Sequence, residues 1–448
     1  MALDAQRAPG IAPRTRPRRG ADRLDPPLAT TTPQATPQAT PELTHLALPR
    51  VRCGTHTTLS DIARRWQTLP LSPASRAALT DMLTVGEAAE YAGHIENVIG
   101  AVRMPVGLAG PLLVHGGSAA GAYYVPLATT EATLVASYSR GAQLITEAGG
   151  CASVVVNEGI GRAPGFAFAS LAECGQFITW ALAHMAAFRR RVERTTRHGR
   201  LVDMRVNLEG NHVYLHFEYL TGDAAGQNMV TLATEAICDY IAVHCPTQPR
   251  YAFLEANASG DKKASARSFG SVRGRKVTAE VVIPAELVRH RLRTTPERMA
   301  DYGRMGAMGG VLTGTLGVQG HFANGLAALS IATGQDAACV AEAAVGVTRL
   351  ETTDAGDLYA TVTLPNVVVG TVGGGTTLPS QRACLELMGL AGTGHARALA
   401  EVAAALCLAG ELSLVGALCA GSFARAHRNL ARGVARPARP RLEEHGDD

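Results

Sequence analysis

The sequence predicts an α+β protein with two or three domains, and three observations support that prediction. The first is size, because 448 residues with 46% hydrophobic and 18% charged side chains suffice for more than one buried core. The second is a hairpin signal, since residues 201–208 and 213–220 alternate polar and apolar side chains around Glu209-Gly210-Asn211. The third is that helical segments flank this hairpin, which indicates a compact α+β unit.

The N-terminal part of the chain divides into a tail and a helical segment. Residues 1–48 are predicted to be disordered, because they combine an arginine-rich run, a repeated Pro-Gln-Ala-Thr tetrapeptide and few large apolar residues. A flexible tail is the favoured interpretation, and a basic targeting or docking arm is the alternative. Residues 49–99 are predicted to form a helical N-terminal domain. Ser60 is expected to cap a helix that begins at Asp61, and Ser72-Pro73 to begin a second one.

The remaining elements are predicted from apolar periodicity and from glycine and proline punctuation. Segments 96–100 and 105–111 are expected to be turns between buried strands. A helix is expected over 133–147, and another is expected to open at Thr221-Gly222-Asp223-Ala224. Further along the chain the pattern predicts a strand over 276–283, glycine-rich helices over 305–332, strands over 360–369 and long alanine-rich helices up to His427.

Composition and charge exclude several classes of function. A net charge of +4 and an aromatic content of 5% give no support for a nucleic-acid partner. The nine cysteines are dispersed without a CxxC pair, which favours a reducing, cytoplasmic compartment and argues against a metal site. No apolar secretory segment is visible at the N-terminus. The most apolar stretch, 402–423, is interrupted by Glu411, so a buried helix is predicted there rather than a membrane span.

Four ionisable residues stand in otherwise small-residue or apolar stretches: Glu131, Lys262, Asp336 and His427. A lysine, two carboxylates and a histidine can together hold a developing oxyanion, supply a proton to it and protonate a leaving group. Considered one at a time, surface ion pairs and a histidine at a helix end are the simpler interpretations.

Glycine-rich segments at 223–229, 314–320 and 373–376 are candidate ligand loops. The first opens a helix, where small residues let an anionic ligand reach free N–H groups. Neither a GxGxxG fingerprint nor a P-loop is present. Arg197 lies on a predicted turn and suits a phosphate monoester. Composition alone nevertheless favours a solvated arginine there, and glycines that serve turns or close packing.

Several motifs occur in a fixed order along the chain. They are Glu96-Asn97-Val98-Ile99-Gly100, Val125-Pro126-Leu127-Ala128-Thr129-Thr130-Glu131, Thr221-Gly222-Asp223-Ala224, Asp261-Lys262-Lys263, Gly334-Gln335-Asp336, Val372-Gly373-Gly374-Gly375-Thr376 and Ala409-Gly410-Glu411-Leu412-Ser413-Leu414. In this order they resemble the catalytic portion of 3-hydroxy-3-methylglutaryl-CoA (HMG-CoA) reductases. The resemblance covers about residues 50–432, which is nearly the whole chain outside the tails.

The resemblance implies a four-electron reduction of (S)-HMG-CoA to (R)-mevalonate and CoA with two hydrides from a nicotinamide cofactor. In that reaction Lys262 would stabilise the carbonyl oxygen as it becomes negative, and Glu131 would protonate it. Asp336 would lie between these two groups and keep the lysine charged. His427 would protonate the departing CoA thiolate.

The resemblance also implies binding residues. Arg162, Lys263 and Asn324 would contact the substrate carboxylate, Asp261 would brace the lysines, and Glu96-Asn97 would add further substrate contacts. Arg197 stands where NADPH-using members carry a basic residue for the 2′-phosphate. Together with residues 104–111 it favours the NADPH-linked class I type over NADH, with no metal. The implied cofactor contacts are Arg197, Asp223, Gln227, Asn228, Gly373, Gly374, Gly375 and Thr376.

The implied architecture is a large substrate domain built around a central helix, formed by residues 100–163 and 266–432. A small ferredoxin-like α+β NADPH-binding domain would be inserted over 164–252, followed by a catalytic loop over 253–265. A flexible tail would cover 433–448. Active sites of the family form between subunits, so a homodimer or homotetramer that binds HMG-CoA is implied, without a membrane or nucleic-acid partner.

The catalytic loop departs from the family pattern. Glu255-Ala256-Asn257 stands where Ser-Gly-Asn is usual, Ala264 replaces a proline, and Arg267-Ser268 replaces Ile-Asn. Glu255 is expected to place negative charge beside the substrate carboxylate, and Arg267 to neutralise it. These departures keep three alternatives open: a non-catalytic paralogue, an inhibitor-resistant one, or a reductase of a related acyl-CoA.

Overall fold

The computed structural model of the chain describes residues 54–55, 57–69, 72–80 and 86–424. The predicted tails over 1–48 and 433–448 lie outside the described residues, and so does His427.

The N-terminal segment is helical, as predicted. Helix α1 (Leu59–Thr68) begins two residues before the expected start, because the Thr58 hydroxyl, and not Ser60, accepts the Asp61 N–H at 3.2 Å. Ser72 caps helix α2 (Pro73–Leu79), with proline in the first turn as predicted. The two helices are followed by a short 3-10 turn, Ala88–Tyr91. A small core of Ile62, Trp66, Ala88 and Val98 holds this part together.

A mixed sheet runs through the rest of the molecule, and strand β3 connects its two parts. Residues 152–159 of β3 pair with β8, whereas residues 160–162 pair with β6. The strand order is β7-β4-β6-β3-β8-β11-β10-β9, with β1 and β2 attached beside β3 and β5 attached to β6. The strands are β1 Val106–Gly116, β2 Ala120–Ala128, β3 Cys151–Arg162, β4 Gly165–Ala167, β5 Arg200–Glu209, β6 His212–Leu220, β7 Tyr251–Phe253, β8 Gly274–Ile283, β9 Gly317–Val318, β10 Gly346–Thr352 and β11 Leu358–Val367.

One predicted turn is wrong. Residues 106–111 lie inside strand β1, although glycines and prolines punctuate them. The ladder with β2 shifts register between Ala109 and Leu112, at Gly110-Pro111. A bulge at this place accommodates a proline that has no N–H to give to the ladder, and so the strand continues past it.

A long buried helix occupies the centre of the larger core. Helix α10 (Ala396–Cys419) packs against β8, β11 and helix α3 (Leu134–Glu147), and 83% of its most apolar window is buried. It is long and apolar enough to cross a membrane, yet it is surrounded by the chain, as predicted for the stretch around Glu411. The other helices are α3 Leu134–Glu147, α4 Leu171–Ala183, α5 Met185–Thr195, α6 Gln227–His244, α7 Pro296–Thr313, α8 Phe322–Thr333 and α9 Pro379–Leu387, with short turns at Arg267–Gly270, Ala285–Leu287, Val288–Leu292, Ala337–Cys339, Val340–Ala343 and Gly374–Thr377.

A second core lies under the predicted hairpin. Strands β5 and β6 form that hairpin with Leu201 opposite Tyr219, so the prediction is confirmed. Phe177, Phe188 and Phe217 fill this core from α4, α5 and β6. The following helix is also confirmed, although α6 starts at Gln227 rather than at 221–224. The mixed α+β fold expected from the sequence is therefore the fold observed.

Candidate active site

Lys262 and Asp336 form an ion pair between two loops. The Lys262 Nζ lies 2.8 Å from the Asp336 Oδ2, and the two side chains are 43% and 37% exposed, so a ligand can reach both. Lys262 has a left-handed backbone with φ 54°, at the tip of the loop that precedes Arg267–Gly270. Asp336 caps the turn Ala337–Cys339, where its Oδ1 accepts the Ala338 N–H at 3.0 Å. The loop and the turn together fix the distance between the two charges.

The pair keeps both groups ionised. Hydrogen bonding to Asp336 raises the pKa of the Lys262 ammonium above its usual value. Burial tends to raise the pKa of Asp336, but hydrogen bonds from Lys262 and from the Ala338 amide outweigh it, and the pKa lies below its usual value. At neutral pH the site therefore presents a cation held by a carboxylate.

A buried row of alternating charges supports the loop from behind. Asp261 accepts hydrogen bonds from Arg162, at 2.9 Å, and from Arg273. The Arg273 Nε in turn lies 2.6 Å from the Oε2 of Glu342, which is fully buried. This last contact is an ion pair whose atoms are not aligned as a hydrogen bond. Burial raises the pKa of Glu342, although the charge of Arg273 opposes that rise.

A cavity of about 520 Å³ opens beside the Lys262–Asp336 pair. The start of α6 forms one wall, and the loop 370–376 forms the opposite wall. Gly226 precedes α6 with φ 78° and no side chain caps the helix, so its first N–H groups remain available to an anion. A Cβ added at Gly373 or Gly374 would meet nothing within 4 Å, which shows that both residues border open space. The cavity therefore offers a glycine-lined surface and a positive helix end.

Several contacts between backbones and buried side chains hold the two walls together. The Thr371 N–H donates to the Asp223 carbonyl at 2.9 Å. A Cβ at Gly370 would come within 2.6 Å of the Ala225 nitrogen, so only glycine fits there. The Asp223 carboxylate accepts the Gly394 and Ala396 N–H groups at the start of α10. The contacts of Asp223, which was predicted to bind a cofactor, are thus with the chain itself.

The other predicted cofactor residues line the cavity, with the exception of Arg197. Gln227, Asn228 and residues 373–376 border it, and the Gln227 amide donates to Asp336 at 3.2 Å. Arg197 is exposed on a loop, and it is not among the cavity's lining residues. That loop packs on the first turn of α6, since a Cβ at Gly199 would come within 2.6 Å of the Met229 sulfur.

Glu131 lies elsewhere in the chain. It borders a different cavity of about 350 Å³, together with Asn324, whose amide donates to the Glu131 Oε1 at 3.3 Å. Lys262 and Asp336 do not line that cavity. The expectation that Asp336 lies between Lys262 and Glu131 is therefore not met within one chain, where Asp336 contacts Lys262, Gln227 and Ala338.

The predicted substrate-carboxylate residues separate into two groups. Lys263 is exposed and donates only to the Asp261 carbonyl, at 3.0 Å, among the hydrogen bonds of the described residues. Arg162 is 9% exposed and is bound to the chain's own carboxylates. The Asn97 amide oxygen accepts the Gly54 N–H at 2.9 Å, so this side chain is also engaged internally, while Glu96 is exposed beside it.

The expected neutralisation of Glu255 by Arg267 is wrong. The Glu255 Oε2 lies 3.5 Å from the Arg162 Nη1, and it also accepts the Ala163 N–H at 3.3 Å. Arg267 instead interacts with Arg205 and Glu218. Arg162 is the last residue of β3, and the next residue, Ala163, gives its N–H to the same Glu255 oxygen.

Sequence analysis missed the residues that position this site. Arg273 and Glu342 support the loop that carries Lys262, and Arg275 donates to the carbonyls of Gly222 and Val369, which precede the two walls in the chain. Gln335 exchanges two hydrogen bonds with the backbone of Gly370. A lone glutamate among alanines and valines at 340–345 was a usable signal, because such a residue needs a buried partner.

No metal centre accompanies these groups in the part of the chain that the structure describes, because no three His, Cys, Asp or Glu residues there form a cluster able to hold an ion. The cysteines in the same described residues are free thiols.

Comparison with known proteins assigns the chain to a family. The sequence model for hydroxymethylglutaryl-coenzyme A reductase matches residues 62–432. The chain is 44% identical over 376 residues to the 3-hydroxy-3-methylglutaryl-coenzyme A reductase of Haloferax volcanii, with 83% of this chain and 92% of that protein covered. It is 43% identical over 346 residues to the reductase of Pyrococcus horikoshii, with 76% and 84% covered.

Solved structures share the fold. A class II 3-hydroxy-3-methylglutaryl-CoA reductase from Streptococcus pneumoniae, bound to NADPH in open conformations, superposes with a TM-score of 0.61 at 20% identity. The alignment covers 80% of this chain and 96% of that one. The motifs found along the sequence agree with the match of the family's sequence model, with the archaeal relatives and with the common fold. The chain therefore belongs to the hydroxymethylglutaryl-coenzyme A reductase family.

Proposed function

We propose that the chain reduces HMG-CoA to mevalonate and CoA with two NADPH, at the Lys262–Asp336 pair. The observation that carries the proposal is this 2.8 Å ion pair at the edge of a cavity with a glycine-lined wall and an uncapped helix start. A protonated lysine at the reacting carbonyl stabilises the oxyanion that develops there. Family membership identifies the carbonyl as that of the HMG-CoA thioester, in the mevalonate pathway.

The chain's residues have separate roles in this proposal. Lys262 binds the carbonyl oxygen, and Asp336 keeps the ammonium charged and oriented. Asp261, held by Arg162 and Arg273, positions the loop that carries Lys262. His427 is proposed as the acid for the thiolate, and Arg162, Lys263 and Asn324 as contacts to the substrate carboxylate. Glu96 is proposed as a further substrate contact, whereas the Asn97 side chain holds the Gly54 N–H.

The cavity is the proposed binding site of a nicotinamide dinucleotide. A diphosphate suits the free N–H groups of Gln227, Asn228 and Met229, because the positive end of the helix dipole adds to them. Gly373 and Gly374 would let the cofactor approach the backbone, and Thr376 would close the loop beneath it. When bound there, the cofactor supplies the hydride. Asp223 would position the two walls rather than touch the cofactor.

NADPH is the proposed cofactor, and class I is the proposed type of the enzyme. Arg197 supports it, because the loop that carries this arginine packs on the first turn of α6, within reach of a 2′-phosphate at the cavity edge. The similar NADPH-bound structure is named a class II enzyme, and at 20% identity its likeness concerns the fold. The residues around the second core, 164–252, are proposed as a small ferredoxin-like cofactor domain inserted into the large domain.

The active site is proposed to form between two subunits. Glu131 and the Lys262–Asp336 pair line different cavities of one chain, so a second copy would have to bring Glu131 to the lysine. Mixing two inactive variants tests this arrangement, since a mixed dimer of Glu131→Gln and Lys262→Ala contains one site with both native residues. Such a mixture should recover about a quarter of the native activity, as random pairing in a two-fold dimer requires. No recovery, with mixed dimers verified by mass, would place both residues in one subunit.

The overall proposal is tested by the absorbance of the reduced nicotinamide when purified protein meets HMG-CoA. Oxidation of NADPH that depends on HMG-CoA is expected, and Lys262→Ala should lower kcat by about a thousandfold. Arg197→Ala should raise the KM for NADPH and leave that for NADH unchanged. Folded protein that oxidises neither cofactor would overturn the proposal.

A further inference from the structure

The side chains of Glu255 and Arg162 contact each other beside the loop that carries Lys262, at a place that the backbone fixes. The Ala256 N–H donates to the Ala163 carbonyl at 2.9 Å, and the Glu255 carboxylate accepts the Ala163 N–H. A Cβ at Gly165 would come within 2.6 Å of the Ala256 Cβ, which shows how closely the two segments pack. The backbone thus directs the Glu255 side chain towards the end of β3, where Arg162 lies.

The guanidinium of Arg162 has no free terminal donor. Its Nη1 contacts Asp261 at 2.9 Å and Glu255 at 3.5 Å. Its Nη2 contacts the Thr231 hydroxyl at 2.9 Å and the Gln227 carbonyl at 3.4 Å. A guanidinium has five N–H groups, and the four terminal ones of Arg162 all have partners. The fifth, on the Nε, is buried. An incoming carboxylate can therefore bind this guanidinium only by replacing one of the terminal partners.

Glu255 is the partner that is easiest to replace. Its contact with Arg162 is the longest of the four, and its Oε1 is buried without a hydrogen-bond partner. A buried carboxylate oxygen without a donor costs free energy, so the pair as it stands is incompletely satisfied. The neighbouring His216 supplies no compensating charge, because burial and then the charge of Arg267 lower its pKa to about 4.

The surrounding charges balance. Arg162, Arg273, Lys262 and Lys263 are the cations of this cluster, and Glu255, Asp261, Asp336 and Glu342 are its anions. A site with no net charge attracts an anionic substrate less than the same site with one carboxylate removed. Among the four anions, Glu255 contacts neither Lys262 nor Arg273, so it does not take part in holding the catalytic lysine.

We propose that Glu255 is a specificity-determining residue whose carboxylate occupies the position on Arg162 that the free carboxylate of the substrate would take. This inference rests on the proposed function and concerns the same site. Glu255 competes with the acid group of HMG-CoA, and it weakens the preference of the enzyme for acyl-CoA substrates that carry a carboxylate. Acyl-CoA thioesters without that group do not compete with Glu255 and gain relative to HMG-CoA.

The test compares HMG-CoA with 3-hydroxy-3-methylbutyryl-CoA, which lacks the carboxylate. Glu255→Gln removes the charge and keeps the shape, and Glu255→Ser removes both. In each variant the ratio of kcat/KM for HMG-CoA to kcat/KM for the neutral thioester should rise about fivefold or more, mainly through a lower KM for HMG-CoA. Binding of free 3-hydroxy-3-methylglutarate, measured by calorimetry, should tighten by a similar factor. Glu280→Gln is the matched control, since Glu280 bonds to Tyr359 on β11.

The outcomes separate this inference from the proposed function. If the native protein does not oxidise NADPH with HMG-CoA, the proposed function fails. If it does, and the substrate ratio and the binding of the free acid stay as in the Glu280→Gln control, the role of Glu255 is refuted alone. A weaker preference for HMG-CoA in both variants would also refute it, because that result would mean that Glu255 holds Arg162 in its binding position. Thermal unfolding of each variant checks that the fold is retained.

Discussion

The central helix and the row of alternating charges behind the Lys262 loop both hold carboxylates inside the protein, but the carboxylates are satisfied by different donors. In α10, Glu401 accepts the N–H groups of Ser118 and Ala119 at 2.8 and 2.6 Å. In the same helix, Glu411 accepts those of Gly320 and His321 at 2.7 and 2.8 Å. Both carboxylates are 1% exposed, and their strongest donors are backbone dipoles in fixed positions.

In the row of alternating charges the partners are charged side chains instead. Asp261 and Glu342 face guanidinium groups, and several atoms of this row lack a hydrogen bond, among them the Arg162 Nε and both Glu342 oxygens. Backbone donors cannot change their charge or leave, whereas an arginine can exchange one carboxylate for another. The carboxylates of α10 therefore have partners that a ligand cannot exchange, whereas the partners of Asp261 and Glu342 are side chains of the kind that also bind charged ligands.

The largest expected effect is on the buried pair behind the loop. Glu342→Ala leaves the buried Nε of Arg273 without its carboxylate, while Asp261 still pairs with the Nη2, and so the free energy of unfolding should fall by about 3 kcal/mol. Denaturant titration measures this loss. Glu351→Ala breaks an exposed pair with Arg349 and should cost at most about 1 kcal/mol. Equal losses in the two variants would mean that burial adds nothing to the Arg273–Glu342 pair.

Asp336→Asn tests the electrostatic side of the comparison. The rate should fall by about a hundredfold, because the ammonium of Lys262 loses its oriented partner. In the proposed function the protonated lysine is the active form, so activity should fall as pH rises through its pKa. Asp336 raises that pKa, and its removal should move the alkaline fall of kcat/KM to lower pH. A pH profile with an unmoved alkaline limb would contradict this role.

Glu401→Gln tests the backbone-satisfied carboxylates. One amide oxygen replaces two carboxylate oxygens, so the Val155 N–H, which donates to the Glu401 Oε1 at 3.3 Å, loses its acceptor. The free energy of unfolding should fall by about 2 kcal/mol. The kcat of the folded enzyme should match that of the native protein, since Glu401 contacts the large sheet. A change in kcat without a loss of stability would reverse the assignment.

The smallest expected effect concerns the neutral partner of Arg162. Thr231→Val keeps the volume of the side chain and removes the hydroxyl oxygen that accepts a hydrogen bond from the Arg162 Nη2 at 2.9 Å. The free energy of unfolding should fall by about 1 kcal/mol. Thermal unfolding measures the change, and Thr179→Val is the control, because it loses only an exposed hydrogen bond within its own helix. The two variants should differ, because only Thr231 touches the charged row.

Much of the fold could be predicted from the sequence where the signal is local. The hairpin of β5 and β6, the Ser72 cap and the burial of the helix around Glu411 all follow from neighbouring residues. The strand through Gly110-Pro111 was mistaken for a turn, because local punctuation does not reveal the partner strand that supports a bulge.

Only part of the candidate site could be predicted from the sequence. Motifs pointed to Lys262 and Asp336, and the structure brings them within 2.8 Å. The contacts of Arg162 with Glu255 and of Arg273 with Glu342 join residues far apart in the chain. No periodicity predicts which of several arginines pairs with a given carboxylate, and for that reason Arg267 was chosen wrongly.

Strand β3 belongs to both parts of the sheet and ends at Arg162. Side chains of a strand alternate between its two faces, so inserting or deleting one residue within β3 would turn this guanidinium to the opposite face. Its contacts with Asp261, Thr231 and Glu255 would then be lost together, although none of those residues had changed. Insertions and deletions within β3 should therefore be tolerated less well than substitutions in the loop that contacts its end.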